Sequence, residues 1–213
     1  MHGELPAGSG RKRPLVFIGQ TAAGQLYQEG NNVDAFENVI ASIHQRQGFW
    51  TQTSVKVELT KAEKRAIGRQ SAPRWELDVV AYRGATNELR VVECKSYIDS
   101  PGVQVATFQG KNKANQARYK LFFEPTLRRV VLGRLKRQFI KAGFCAKNPK
   151  VTLCLAAGKI RGDEAWLAAH FAKRGWRLLG PGEIKNELAA LQESGYENDV
   201  AAVVTKLLLR DAR

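Results

Sequence analysis

Residues 75–95 read Trp-Glu-Leu-Asp-Val-Val-Ala-Tyr-Arg-Gly-Ala-Thr-Asn-Glu-Leu-Arg-Val-Val-Glu-Cys-Lys, and this stretch decides the fold. Residues 75–83 form an apolar run of β-forming residues, and 84–87 have the composition of a turn. Residues 89–95 then return to β-forming residues. The pattern predicts two strands joined by a short turn at the centre of a sheet.

Charged side chains gather at one end of this predicted hairpin. Side chains alternate along a strand, so Glu93 and Lys95 point to one face while Val92 and Cys94 point to the other. Asp78 lies in the partner strand, where pairing across the turn can bring its carboxylate near Glu93. Ionised groups are expensive to desolvate unless something pairs with them. A divalent cation between the two carboxylates would remove that cost, so this end of the hairpin is a candidate active site.

The composition is that of a globular protein. The chain has 213 residues, of which 44% are hydrophobic and 25% charged, which suits one domain with a sizeable core. No apolar run approaches the roughly 20 residues that span a bilayer, and the N-terminus lacks the apolar region of a signal peptide. We therefore expect a cytoplasmic protein that does not enter a membrane.

Cysteine and histidine usage excludes several classes of site. The cysteines are odd in number and show no CxxC spacing, which argues against a disulfide framework and against structural zinc. The histidines lie far apart, and no Gly-x-Ser-x-Gly motif is present, which argues against a zinc enzyme and a Ser-His-Asp triad. These residues are Cys94, Cys145 and Cys154, with His2, His44 and His170.

Positive charge is concentrated after the hairpin. The chain has 34 Lys and Arg against 20 Asp and Glu, for a net charge of +14. Residues 111–150 hold 12 basic residues and one acidic residue, whereas residues 163–213 hold seven basic and eight acidic ones. A segregated basic excess is typical of a surface that binds a polyanion. A solvated basic surface that serves only solubility is the alternative.

The first predicted helix precedes the hairpin, over residues 32–47. Asn32 can cap it, and Asp34 and Glu37 fall in its first turns, where the helix dipole favours negative charge. Apolar residues recur at helical spacing and give one buried face. These are Phe36, Val39, Ile40 and Ile43.

The other elements follow from the same periodicities. Residues 60–73 read as a polar connection and 97–105 as a loop. The further predicted strands are 49–59, 150–156 and 175–179, and the further predicted helices are 111–123, 126–142, 163–174, 181–193 and 198–209.

This order predicts an α/β fold, in which a central mixed β-sheet has flanking helices on both faces. We expect a flexible basic arm at 1–14 and a core domain at 15–180. Helices at 181–213 are expected to pack on that same domain.

Taken together, these residues resemble the PD-(D/E)xK nuclease superfamily, which includes many restriction endonucleases. Asp78 matches the motif Asp, Glu93 the second acid and Lys95 the lysine, while Glu37 matches an acid that many members carry in the first helix. Leu77 stands where the motif's name has Pro, a position that varies in the family. The resemblance covers about residues 32–180 and implies a restriction-endonuclease-like αβββαβ core.

The resemblance also implies a chemistry for these residues. Asp78 and Glu93, with the backbone carbonyl of Cys94, would hold Mg²⁺, with Mn²⁺ as a substitute, because hard cations take oxygen ligands. Lys95 would orient the attacking water and stabilise charge on the phosphate, and Glu37 would complete the metal's surroundings. A surface ion-pair cluster at the strand ends is the structural alternative.

The basic segment supplies candidate contacts to nucleic acid. Such contacts to phosphates position a substrate without reading its sequence, and for the Gln and Tyr residues core packing is an equal alternative. The basic candidates are Lys111, Lys113, Arg118, Lys120, Arg128 and Arg129. The resemblance implies a Gln and a Tyr in the helix after the lysine strand, for which the candidates are Gln116 and Tyr119, with Gln109 as an alternative Gln.

The sequence thus predicts a Mg²⁺-dependent endonuclease that hydrolyses phosphodiester bonds in DNA and associates with the nucleoid when bound. The alternatives are a non-catalytic nucleic-acid-binding subunit of a larger complex and an RNA nuclease. The chain has no zinc finger or clear helix-turn-helix to read bases. Specificity is expected from DNA structure, from a partner protein or from a homodimer.

Overall fold

The computed structural model describes residues 34–71, 74–193 and 199–209. The predicted arm at 1–14 and the predicted cap Asn32 lie outside these residues. In chain order the elements are α1 (Ala35–Arg46), β1 (Trp50–Val57), α2 (Lys61–Ala66), β2 (Trp75–Arg83), β3 (Glu88–Lys95), β4 (Val103–Gln104), α3 (Val105–Phe108), α4 (Lys120–Phe123), α5 (Pro125–Lys141), β5 (Lys150–Ala157), β6 (Ile160–Arg161), α6 (Glu164–Ala172), β7 (Arg177–Leu179), α7 (Pro181–Glu193) and α8 (Val200–Leu209).

A five-stranded mixed sheet forms the centre of the fold, in the order β1-β2-β3-β5-β7. β1, β2 and β3 are antiparallel neighbours, and β5 and β7 continue the sheet in parallel with β3. The turn between β2 and β3 is a 3₁₀ turn that ends on Asn87, whose φ of 46° is left-handed. The predicted hairpin and the predicted mixed α/β sheet are confirmed.

Apolar cores lie on both faces of the sheet. On one face, Ile40 and Ile43 of α1 and Ile184 of α7 pack against Val79 and Val92 of the central strands. The alternate residues of the same strands pack on the other face against α4, α5 and α6. That second core includes Val80, Val91, Phe122, Leu127, Leu135 and Phe171. The prediction of helices on both faces is therefore confirmed.

The predicted helix over residues 111–123 is wrong. This segment holds a 3₁₀ turn at Ala114–Arg118 and then the single turn of α4. Asn112 accepts a hydrogen bond from the backbone N–H of Asn115 at 3.3 Å, and its amide donates to Gln104 Oε1 at 3.1 Å. Such local side-chain bonds compete with helical backbone bonds, and Gly110 has a positive φ of 79°. The next predicted helix is confirmed as α5, with Pro125 at its start.

The last two helices pack beside α1. Ile184 and Leu188 of α7 belong to the core on the α1 face. Asp199, just before α8, accepts a hydrogen bond from Ser42 of α1 at 3.1 Å. None of the helices in the described ranges is long and apolar enough to cross a membrane.

A buried histidine in α1 should make the fold sensitive to acid. His44 is fully buried, its Nδ1 lies 2.8 Å from the Ile40 carbonyl oxygen, and its Nε2 has no partner within residues 34–71, 74–193 and 199–209. Burial, with the charges of Arg90 and Arg177, lowers the pKa of His44 from 6.5 to about 4. The unfolded chain therefore takes up this proton at a higher pH than the folded one. His44 should cost stability as the pH falls from 6.5 toward 4.

We expect this effect of His44 to lower the free energy of unfolding by about 3 kcal/mol at pH 4. Each unit of difference between the folded and unfolded pKa corresponds to about 1.4 kcal/mol. His44→Asn should be less stable at neutral pH, because it leaves a cavity, but should lose less stability on acidification. Urea unfolding of both proteins across this pH range measures the difference. Parallel curves for the two proteins would contradict the assignment.

Candidate active site

The central strands β2 and β3 diverge at one end, and the predicted site lies in that fork. Their pairing runs from Arg83 opposite Glu88 to Val79 opposite Val92 and stops there. β2 continues to Trp75 as a partner of β1 alone, while β3 continues beside β5 to its last residue.

Asp78 bridges the start of the fork. Its Oδ2 accepts a hydrogen bond from the Cys94 N–H at 2.7 Å, so a side chain replaces the missing backbone partner. In a strand the N–H and C=O of one residue face the same neighbour. The carbonyl of Cys94 therefore faces the fork as well, beside the Asp78 carboxylate. Burial is the main cause that raises the pKa of Asp78.

Side-chain alternation breaks at Asp78. Leu77 packs in the core on the α5 face, whereas Val79, two residues on, packs in the core on the α1 face. The pairing of β1 with β2 skips Ser54 and Asp78, which lie between the pairs Thr53–Val79 and Val55–Leu77, and Ser54 has a left-handed φ of 50°. This irregularity places the Asp78 carboxylate where groups from both faces of the sheet can approach it.

Glu93 and Lys95 form an ion pair on the face opposite Cys94. Lys95 Nζ donates to Glu93 Oε1 at 2.7 Å, and both side chains are about one-fifth exposed. Burial raises the pKa of Glu93, and the negative charge of Asp78 adds to this while Lys95 opposes it. Burial disfavours the Lys95 ammonium, but Glu93 outweighs it and raises the pKa of Lys95. Lys95 is therefore a hydrogen-bond donor at neutral pH.

Glu37 approaches the fork from α1. That helix is capped by Asp34, whose Oδ1 accepts from the Phe36 N–H at 2.7 Å. Burial, with the nearby charges of Asp78 and Asp34, raises the pKa of Glu37 to about 7. Its Oε2 is buried and has no hydrogen-bond partner among the residues that the structure describes. Glu37 therefore carries a carboxylate oxygen that the protein itself leaves unsatisfied.

The oxygens at the fork suit a hard divalent cation. In the described part of the chain, no group of three or more His, Cys, Asp and Glu side chains is arranged to hold a metal ion. Mg²⁺ requires less than this, because it binds through one or two carboxylates and keeps several waters. Asp78, Glu93 and the Cys94 carbonyl supply such oxygens, and burial raises the pKa of both carboxyls although Lys95 opposes the shift.

The predicted nucleic-acid contacts fall into two groups. One group is exposed on or near the segment that follows α3, and comprises Gln109, Lys111, Lys113 and Arg118. Lys120 is half-buried at the start of α4, close enough to Glu93 to lower the pKa of that carboxyl. Arg129 is exposed on α5. Positive charge thus extends from the fork into the segment after it.

The other group makes contacts within the protein. Tyr119 is only 2% exposed, with its ring 5.1 Å from that of Phe108, so for this residue the packing alternative describes the structure. Gln116 donates to the Thr107 carbonyl at 3.4 Å. Arg128 donates to the Leu121 and Phe122 carbonyls at 2.9 and 3.1 Å, where it satisfies backbone groups of α4.

Gly158 supports the end of β3, and the sequence analysis did not identify it. Its N–H donates to the Lys95 carbonyl at 3.0 Å. A Cβ at this position would lie 2.3 Å from the Ser96 carbonyl oxygen, which is closer than any side chain tolerates. Two residues beyond Lys95, Tyr97 has a left-handed φ of 43°. A glycine directly after an apolar strand is the signal that could have marked this close approach.

Comparison with known proteins adds little to this geometry. No protein-family model matches the chain, and no curated protein matches it. Among solved structures, the chain is similar to the crystal structure of a protein of unknown function, AF1548. That similarity covers 80% of this chain and 76% of the other, at 16% sequence identity and a TM-score of 0.40. A likeness at this level carries no argument about function.

Asp78→Asn should raise the thermal midpoint when no divalent cation is added. At pH 8 the raised pKa means that the carboxylate destabilises the folded state, and Asn can still accept the Cys94 N–H. For a chain of this size the midpoint moves by about 2–4 °C for each kcal/mol. Adding MgCl₂ should raise the midpoint of the wild type and should have little effect on the variant.

Differential scanning fluorimetry with and without MgCl₂ measures both effects. Asp99→Asn is the matched control, because Asp99 is exposed in the loop after β3. If Asp78→Asn is less stable than the wild type and MgCl₂ shifts both midpoints equally, the prediction that the Asp78 carboxylate destabilises the folded state and binds Mg²⁺ is wrong.

Proposed function

We propose that this chain is a metal-dependent nuclease that hydrolyses phosphodiester bonds in DNA, on a restriction-endonuclease-like αβββαβ core. The observation that carries the proposal is the fork, where Asp78, Glu93 and Lys95 converge beside the Cys94 carbonyl. The order α1, β1, β2, β3, helices and β5 fits the proposed core. The resemblance to the PD-(D/E)xK superfamily rests on these same residues.

Asp78, Glu93 and the Cys94 carbonyl would hold Mg²⁺ or Mn²⁺ in this proposal. The bound ion would polarise the scissile phosphate and lower the pKa of a coordinated water. The ion would also balance carboxylates that are now largely desolvated, which is a reason for the chain to keep them at an otherwise apolar strand end.

Lys95 acts as a donor in the proposed reaction. Because Glu93 keeps it protonated, Lys95 cannot accept a proton from the attacking water. Its ammonium can orient that water and offset the negative charge that develops on the phosphate. The water oxygen forms a bond to phosphorus, and the bond from phosphorus to the leaving sugar oxygen breaks.

Glu37 is suited to take up a proton in this reaction. A general base is most effective when its pKa lies near the working pH, and the pKa of Glu37 is about 7. Its buried, unpartnered Oε2 can accept a proton directly or through a water. The resemblance gives Glu37 a different role, beside the metal.

Exposed cations next to the fork would bind the substrate's backbone. Lys111, Lys113 and Arg118 lie on the segment between α3 and α4, and Lys120 lies beside Glu93. Contacts of this kind hold phosphates and carry no sequence information. The geometry therefore favours a nuclease whose choice of site depends on something other than these residues.

Cleavage of labelled duplex, single-stranded and branched DNA, and of RNA, tests the proposal. With Mg²⁺ the wild type should cut DNA, and EDTA should stop it. Lys95→Ala should reduce the rate roughly 100-fold or more, because it removes charge stabilisation in the transition state. DNA binding, measured separately by fluorescence anisotropy, should change little.

Lys173→Ala is the control, because Lys173 is an exposed lysine at the end of α6. Preferential cleavage of RNA would replace DNA as the substrate. Binding without cleavage under any divalent cation would favour the non-catalytic subunit. Equal rates for Lys95→Ala and Lys173→Ala would remove Lys95 from the reaction.

A further inference from the structure

An open groove of about 680 Å³ lies between α2 and α5, and it is separate from the residues of the fork. Ala62 and Ala66 of α2 form one wall, and one face of α5 forms the other. Val130 and Val151 contribute apolar surface to its lining. The proposed reaction uses no residue of this groove.

The groove is positively charged. Arg129, Lys136 and Arg137 line it, together with Glu63. Arg134 Nη2 lies 2.6 Å and Arg137 Nη2 lies 2.5 Å from the oxygens of Glu63. Burial opposes ionisation of Glu63, but the hydrogen bonds from Arg134 and Thr60 lower its pKa to about 2. Glu63 is therefore charged at neutral pH and fully engaged by arginines.

Two cations in the groove remain available for a ligand. Within the described ranges, Arg129 and Lys136 have no ion-pair partner. They lie on one face of α5, roughly 10 Å apart at 1.5 Å rise per residue. One strand of nucleic acid carries a charge about every 3.4 Å along the duplex axis. Successive phosphates of one strand are farther apart through space than this axial rise, because the strand winds around the axis, so two cations about 10 Å apart can each contact a separate phosphate of the same strand.

Gly133 occupies the middle of this helix, between the two cations. Glycine is the poorest helix former after proline, so its presence inside a regular helix needs a reason. In the described part of the chain, packing does not supply one, because a Cβ at position 133 would meet only Arg137 Nη1, at an ordinary 3.7 Å. The glycine instead leaves the surface of α5 open between Arg129 and Lys136.

We propose that this groove binds the sugar-phosphate backbone of a nucleic-acid strand, as a second contact surface outside the reacting site. The inference rests on the proposed function for the identity of the polyanion. The charge, the open groove and the separation of its two cations fit a continuous strand better than a single free phosphate. Both cations lie on α5, which begins at Pro125, five residues after Lys120.

The double variant Arg129→Gln with Lys136→Gln tests the groove. Its control is Lys141→Gln with Lys147→Gln, which removes two exposed lysines from residues that do not line the groove. Affinity for a labelled duplex, measured by anisotropy across a range of salt concentrations, should fall about tenfold for the groove pair. The slope of log affinity against log salt should become shallower by about 1.8 for two lost phosphate contacts. The control pair should stay within about twofold of the wild type.

Substitution of Gly133 tests the groove without removing charge. Gly133→Leu should weaken duplex binding, because the side chain fills the space between the cations, and it should unfold no more easily than the wild type. Gly133→Ala, which fits the helix and leaves most of the groove open, should bind like the wild type. Wild-type binding by Gly133→Leu would overturn the proposal.

The remaining outcomes separate this inference from the proposed function. If the control pair loses as much affinity as the groove pair, net charge alone explains binding and the groove proposal fails. If inorganic phosphate competes as well as DNA at equal phosphate concentration, the groove is a free-anion site and the proposal also fails. If the double variant at Arg129 and Lys136 loses affinity for DNA while the control variant does not, the groove proposal is supported. If the wild type also cleaves no substrate, the proposed nuclease activity is wrong.

Discussion

The hydrogen bond from the Cys94 N–H to the Asp78 carboxylate holds the two central strands together where their backbone pairing ends. Without it, β2 and β3 would separate with an unpaired N–H in a largely buried place, which is costly. With it, a carboxylate is fixed at the bottom of the fork and the Cys94 carbonyl is turned toward it. Glu93, Lys95 and Glu37 are candidate site residues because each lies close enough to this fixed carboxylate to be affected by its charge.

Local pattern was enough to predict most of the fold. The hairpin at 75–95, the apolar face of α1, and the boundaries of α5 and α7 follow from period-two and period-3.6 patterns that packing reinforces. The prediction for 111–123 was wrong, because its positive charges imply a helix face while Asn112 and Gly110 favour a turn. A basic composition does not distinguish a helix from a connection that is held by its own side chains.

The candidate site was predictable in its residues but not in its geometry. Asp78, Glu93, Lys95 and Glu37 stand out in sequence because charge interrupts or borders apolar elements. The left-handed φ of Ser54 depends on the neighbouring strands, and no local sequence pattern predicts it. The close approach of Gly158 to Ser96 depends on neighbouring strands as well. Side chains near the site also divide by burial: Lys111 stays exposed, whereas Tyr119 enters the core.

Because side-chain alternation breaks at Asp78, the candidate site receives side chains from both faces of the central sheet. Glu37 belongs to the helical layer on one face of the sheet, and Glu93 and Lys95 project toward the other. A small shift of α1 against the sheet would therefore change the distance from Glu37 to Asp78 while the Glu93–Lys95 pair stays fixed. The pKa of Glu37 therefore depends on how α1 packs against the sheet, because that packing sets both its burial and its distance from Asp78.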